Sequence, residues 1–314
     1  MKGLTAAIAC RIMELNFKHS PGFKRISVIV LSIFVLSSFC LPSSSAMDYI
    51  AGVKGGYFAW DPFIKRIGVP QFEQIDTGTG VLYGPIFSIL FNQDISFSVT
   101  GLFGTQSTSW TSENFLQDST NEPTTGTYTL DMDRIDVDSA LSYRLSDNFK
   151  IFIGYKYQKS DMIMESVSYR RGPLDITARH EYIDISMPSN GPALGFGFST
   201  PVGDRFFLAA NLSALYMWGD FDFNTHQYEY VGNNPSTKSK DETYEVKTIT
   251  INTRGINFEP TVGASMGEGL PIFTLGLRLQ WSQTIMHDAE VISVDEKWCN
   301  DYQYGLFVAI VQPF

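Results

Sequence analysis

Segments of alternating polarity run from Asp48 to Phe314, and the gaps between them are short, then long, then short again. A period of two marks a β-strand with one apolar and one polar face. The last segment sets Leu306, Val308 and Ile310 two apart and stops on the aromatic Phe314. Beyond residue 46 no apolar run is long enough to cross a bilayer as a helix. Any membrane-spanning form must then be a closed barrel, because only closure satisfies every backbone group in lipid. The rhythm of the gaps points the same way. Short turns on one side and long connections on the other are the asymmetry of outer-membrane barrels, whereas a soluble sandwich has no cause to alternate its loops so regularly.

The start of the chain reads as an export signal. Lys18, Lys24 and Arg25 precede an apolar run over 26–41, and the small residues of 42–46 follow. A basic stretch, an apolar stretch and a small-x-small site at Ser44 and Ala46 define a cleaved leader over 1–46, leaving a barrel domain over 47–314. Met13 is an alternative start. A lipid-anchored form through Cys40 is the rival, although the bulky Phe39 before it does not suit that processing. Cys10 and Cys40 would leave with the leader, so the remaining Cys299 excludes an intrachain disulfide and a zinc cysteine cluster.

Charge excludes another class of function. The chain holds 23 basic and 33 acidic residues; the leader accounts for five and one of these, which leaves 18 against 32. So acidic a chain is not built to neutralise phosphates, and nucleic acid is not an expected partner.

Ten strands are expected: 48–60, 80–91, 95–106, 133–145, one from 149, one ending at 198, 206–218, 255–266, 272–283 and the closing strand. A long polar gap is expected over 107–131. Stretches 161–169 and 175–185, and likewise 227–231 and 244–252, alternate around turn-like residues and should continue the wall as hairpins. The fold class expected is thus all-β, a closed antiparallel up-and-down transmembrane barrel. An even strand count puts Asp48 and Phe314 on the same, periplasmic side. On this topology Trp60, Trp110, Trp218, Trp281 and Trp298 fall at the loop ends, and Phe91, Phe97, Phe149, Phe206 and Phe314 at the turn ends. They are expected to form two interfacial girdles.

The closing strand resembles the C-terminal strand of bacterial outer-membrane β-barrels, on its alternation and its terminal Phe314. Gln312 and Pro313 depart from that family's usual ending. The resemblance implies recognition by the barrel assembly machinery, with outer-membrane lipid and lipopolysaccharide as surroundings. No cofactor and no metal are expected.

Three places are candidates for function. The first is the lumen, where the alternation turns Lys54, Arg134, Asp136, Asp138, Arg144, Lys150, Lys156, Glu259 and Arg278 inward. Charges in a narrow interior need partners; Asp136 and Asp138 are expected to pair with Arg144, Lys150 and Lys156, and Glu259 with Arg278. A barrel of this size is only slightly wider than one that side chains fill. A charged, largely plugged lumen with a structural or surface role is the first reading, and a narrow channel for small or amphipathic solutes the alternative.

The second is proteolysis. Ten strands with walls above the membrane resemble the omptin family of outer-membrane proteases, which set an Asp–Asp pair opposite an Asp–His pair around a water. Asp131 and Asp133, at the loop end of the fourth strand, are the candidates to mimic the first pair, and the resemblance covers architecture and not motif. The family's Asp-x-His is absent, and the substitutes are Asp222 with His226 or His287 with Asp288. No catalytic residue is assigned on this basis. The third place is the loops: Glu113, Asp118, Glu122 and Asp131 in one connection, and Asp288, Glu290, Asp295, Glu296 and Asp301 in another, should form solvated acidic faces.

Overall fold

The computed structural model describes residues 48–67, 73–113, 125–171, 176–231, 238–245, 248–267, 269–287 and 298–314. The expected leader lies outside these residues. The strands are β1 (Asp48–Asp61), β2 (Gly78–Leu90), β3 (Ile95–Glu113), β4 (Thr125–Arg144), β5 (Phe149–Arg171) and β6 (Ile176–Val202). They continue with β7 (Phe206–Val231), β8 (Lys238–Glu245), β9 (Ile249–Ser265), β10 (Ile272–Met286) and β11 (Cys299–Pro313).

From β1 to β8, and again from β9 to β11, each strand pairs antiparallel with its sequence neighbour. The sheet closes where β1 meets β11, from Ile50 opposite Pro313 to Asp61 opposite Tyr302. β7 changes partner along its length: Phe206 to Phe221 pair with β9, and Asn224 to Tyr230 pair with β8. β8 and β9 are thus two pieces of one wall position, and the barrel is closed and ten-stranded, as expected.

The turn ends are tight. Asn92 Oδ1 accepts from the backbone N–H groups of Asp94 and Ile95 at 2.8 and 2.7 Å, and Gly203 supplies the left-handed backbone (φ 71°) between β6 and β7. At the other end the strands run far beyond what a bilayer needs. β5, β6 and β7 have 23, 27 and 26 residues, against roughly 9–11 for a membrane crossing. The stretches 161–169 and 176–185 are therefore wall and pair as the hairpin reading expects. The second hairpin forms differently: Asn224 to Tyr230 pair with β8 over Lys238–Glu245, and Ile249 to Asn252 belong to β9, opposite Phe221 to Trp218. The expected gap over 107–131 is largely wall as well, since β3 reaches Glu113 and β4 begins at Thr125. Its Ser and Thr residues are polar but suit an extended strand, and polarity alone misleads there.

Outside, the lower wall carries a continuous apolar belt. Val53, Ile153, Leu194 and Val308 are each about 60% exposed, being 61, 61, 66 and 58%. Strand after strand repeats this, which water would not tolerate and lipid requires. Exposed Tyr57, Tyr83, Tyr155, Tyr216, Trp218 and Trp281 border the belt toward the loops, and Phe91, Phe149 and Phe206 border it toward the turns. Among the described residues no helix is long and apolar enough to cross a membrane. The strands are the spanning elements. This is the build of an outer-membrane β-barrel.

Candidate functional site in the barrel interior

The inward face changes chemistry with height. Toward the loops it is apolar: Trp110 and Tyr128, with Leu130, Met132, Met162, Met164, Ile185, Phe221, Ile249 and Met286, form one buried core. The connection between β1 and β2 folds into it. Phe63, Ile64, Ile67 and Ile75 are all buried in the same core, and a single 3₁₀ turn over Phe63–Arg66 shapes the segment.

This segment is fastened to β11. Asp301 accepts from Trp60 Nε1 at 3.0 Å and from the Phe63 backbone N–H at 3.4 Å. Arg66 donates to the Asn300 carbonyl at 3.0 Å, and the Cys299 thiol to the Arg66 carbonyl at 3.3 Å. Arg66 also pairs with Asp61. Asp301, expected in a solvated loop, is therefore a buried strand residue. The expectation failed because the closing strand begins at Cys299, upstream of the alternating Leu306, Val308 and Ile310.

Below the apolar core lies a layer of charge that crosses the lumen. Lys54 on β1 binds Glu259 on β9 at 2.9 Å. Arg278 on β10 reaches Glu259 at 3.4 Å on one side and Asp138 on β4, across the barrel, at 3.3 Å on the other. Asp136 lies 3.7 Å from Arg278 and 3.3 Å from Arg134. Lys156 on β5 completes the layer, 2.9 Å from Asp138 and 3.8 Å from Asp136. Arg134, Asp136 and Arg278 are each 1% exposed, so these are interior ion pairs, and Asp136, Asp138, Glu259, Lys156 and Arg278 each have two partners or more. Gly276 makes space for it: a Cβ there would sit 2.4 Å from Phe307 Cζ, and the Lys54 ammonium rests 3.8 Å from the Phe307 ring centre.

The expected pairings were only partly those formed. Glu259 does meet Arg278, and Lys156 meets both aspartates, but Arg144 and Lys150 stand apart and line the turn-side mouth. Lys54, for which no partner was named, takes Glu259. The girdle expectation also needs correction. Trp60 and Trp110 are 2% and 6% exposed and face the interior, where Trp110 stacks on Tyr128 at 5.2 Å. Trp218, Trp281 and Phe314 are exposed outside, and Trp298 lies under the Arg254 guanidinium at 4.2 Å.

The protease candidates are not brought together. Asp131 and Asp133 are exposed on the outer face of β4, where Asp133 accepts from Thr105 Oγ1 at 2.7 Å. They do not look into the lumen, because both share the phase of the outward Ile135 and Val137. Asp222 accepts from Thr248 at 2.6 Å, His226 packs its edge against Tyr228, and His287 meets Asn252 at 2.7 Å. Asp288 lies outside the described residues, as do the other acids of the last loop before Trp298. Among the described residues no group of three or more His, Cys, Asp or Glu is placed to hold a metal ion.

Above the membrane the wall has charge of its own. Glu181 on β6 is largely buried beside Arg179, at 3.8 Å, and Arg179 donates to Gln227 at 2.5 Å. Burial pushes the Glu181 carboxyl above its ordinary value, and the Arg179 charge opposes the shift.

No protein-family model matches the chain, and no curated protein matches it. Solved structures do. The outer-membrane protease OmpT from Escherichia coli is similar at 11% identity and a TM-score of 0.40, over 88% of this chain and all of that one (100%). The outer-membrane protein OprG from Pseudomonas aeruginosa is similar at 10% identity and 0.32, over 86% and 96%. CarO from Acinetobacter baumannii is similar at 14% and 0.30, over 82% and 96%. Likeness at this level carries nothing about activity.

Proposed function

We propose that this chain is a non-enzymatic outer-membrane barrel with a sealed lumen, whose working surface is the tall wall outside the cell. One observation supports the reading: side chains meet inside the barrel at two heights, with different chemistry at each. Above, Phe63, Ile64, Ile67 and Ile75 complete an apolar core. Below, Arg278 and its partners join opposite walls. Ions would have to pass a dehydrated core and break interior ion pairs, and each obstacle alone is a large barrier.

The surroundings proposed are outer-membrane lipid and lipopolysaccharide. Arg254, stacked on Trp298 and held by Gln283 at 2.9 Å, is an outward cation beside the Trp281 border, suited to headgroup phosphates. Recognition of the closing strand by the assembly machinery belongs to the same proposal.

Planar bilayers test the seal. Purified protein is expected to give no steady current, and reproducible single-channel conductance from the intact chain would overturn the reading in favour of a narrow channel.

A further inference from the structure

Beneath the charge layer the lumen is hollow. A cavity of about 170 Å³ lies against Lys54, Lys156, Asp138 and Glu259. It shares Ser98, Ser142 and Lys150 with a second cavity of about 380 Å³, which opens between the turns at 91–94 and 145–148. The two abut at these residues, the smaller against the charge layer and the larger at the turn-side mouth.

The lining is unbalanced in one respect. Lys54 is matched by Glu259 and Lys156 by Asp138, each at 2.9 Å. Lys150 is matched by nothing: among the described residues no carboxylate lies within ion-pair distance of it, and its ammonium makes no hydrogen bond to the protein. Asp94 and Asp147 line the outer mouth without reaching it. The lysine arm nevertheless has a seat. A Cβ at Gly197 would come within 2.5 Å of Lys150 Cε and 2.7 Å of Asn211 Oδ1, so the glycine leaves space for both side chains. Around the same cavity are the hydroxyls of Ser98, Thr100 and Ser213, which can donate to an oxygen that carries charge.

Lys150 is itself exposed to solvent, and an unmatched cation beside these hydroxyls offers an oxyanion a charge partner and donors together. We infer that the lower lumen is a binding chamber for a small oxyanion, a phosphate or carboxylate of a soluble solute, entering from the periplasmic side with Lys150 as its charge partner. This goes beyond the sealed-barrel reading. It needs only the open lower mouth, and its test reads binding and not current, so either can fail without the other.

Inorganic phosphate and acetate, titrated separately into the purified full chain in detergent micelles, give the test by calorimetry. Saturable binding of at least one is expected, weakened roughly tenfold or more by Lys150→Met. Binding should persist in Lys150→Arg and in Lys159→Met, which removes a cation from the outer wall. Heat-modifiable gel migration shows whether each variant is folded. Should Lys150→Met not fold, Ser213→Leu fills the chamber from another strand and should weaken binding likewise. No saturable binding of either anion overturns the inference, and so does wild-type affinity in a folded Lys150→Met or Ser213→Leu.

Discussion

At the scale of single residues, phase along a strand decides more than residue type. Trp60 shares the phase of the inward Lys54, and Trp110 that of the inward Leu102 and Gln106, so both face the core. Trp218 and Trp281 share the phase of lipid-facing Leu208 and Leu279 and lie outside. The alternation thus held the answer, and position at a strand end did not. The lumen charges were legible for the same reason, since phase turns Arg134, Asp136 and Arg278 inward. Their partners were not, because which walls face each other across a barrel depends on closure. Arg278 is the hinge of that network. Arg278→Ala should destabilise the barrel by about 1–3 kcal/mol, since Glu259 and Asp138 each lose a charged partner but keep Lys54 and Lys156; denaturant unfolding followed by tryptophan fluorescence measures this. Glu181 makes the opposite case. Its folded pKa is raised, so the penalty for its charge is absent below the unfolded value of ~4.3 and grows as pH rises through the folded value. Glu181→Gln should therefore raise the melting temperature at pH 8 and leave it nearly unchanged at pH 4.

Among the elements, the segment between β1 and β2 was the least legible. It alternates with neither period, and a connection at the loop end is expected to be a surface feature. Its signal was composition: Phe63, Ile64, Ile67 and Ile75 are too apolar for a solvated loop. What composition could not say is that β11 would supply Asp301 as the anchor for Trp60 and the Phe63 backbone. Ile64→Ala should cost about 2–5 kcal/mol of the segment's local packing. The barrel itself should persist, because its wall hydrogen bonds are untouched. Limited proteolysis checks this: cleavage within 62–77 is expected to quicken severalfold, while the folded gel mobility of the remainder is kept.

For the whole molecule, the sealed-lumen proposal makes the two obstructions act in series. Replacing 62–77 by a short turn should therefore leave bilayers silent, and adding Arg278→Ala and Asp138→Ala should bring ion current; bilayer recordings on the two variants decide it. The architecture itself was legible because closure, alternation and loop rhythm are each consequences of lipid. Wall height was less so, as Ser- and Thr-rich strands above the membrane lack the apolar stripe that marks those below. That height is uneven, and folding kinetics should register it. β5, β6 and β7 have 23 to 27 residues and join through neighbours in sequence, while β1 and β11, with 14 and 15, meet from opposite ends of the barrel domain. The long hairpins close small chain loops and can zip early, whereas the seam between β1 and β11 must close the largest loop. The rate-limiting event of assembly is then expected to be the meeting of β1 and β11, after the tall side already stands.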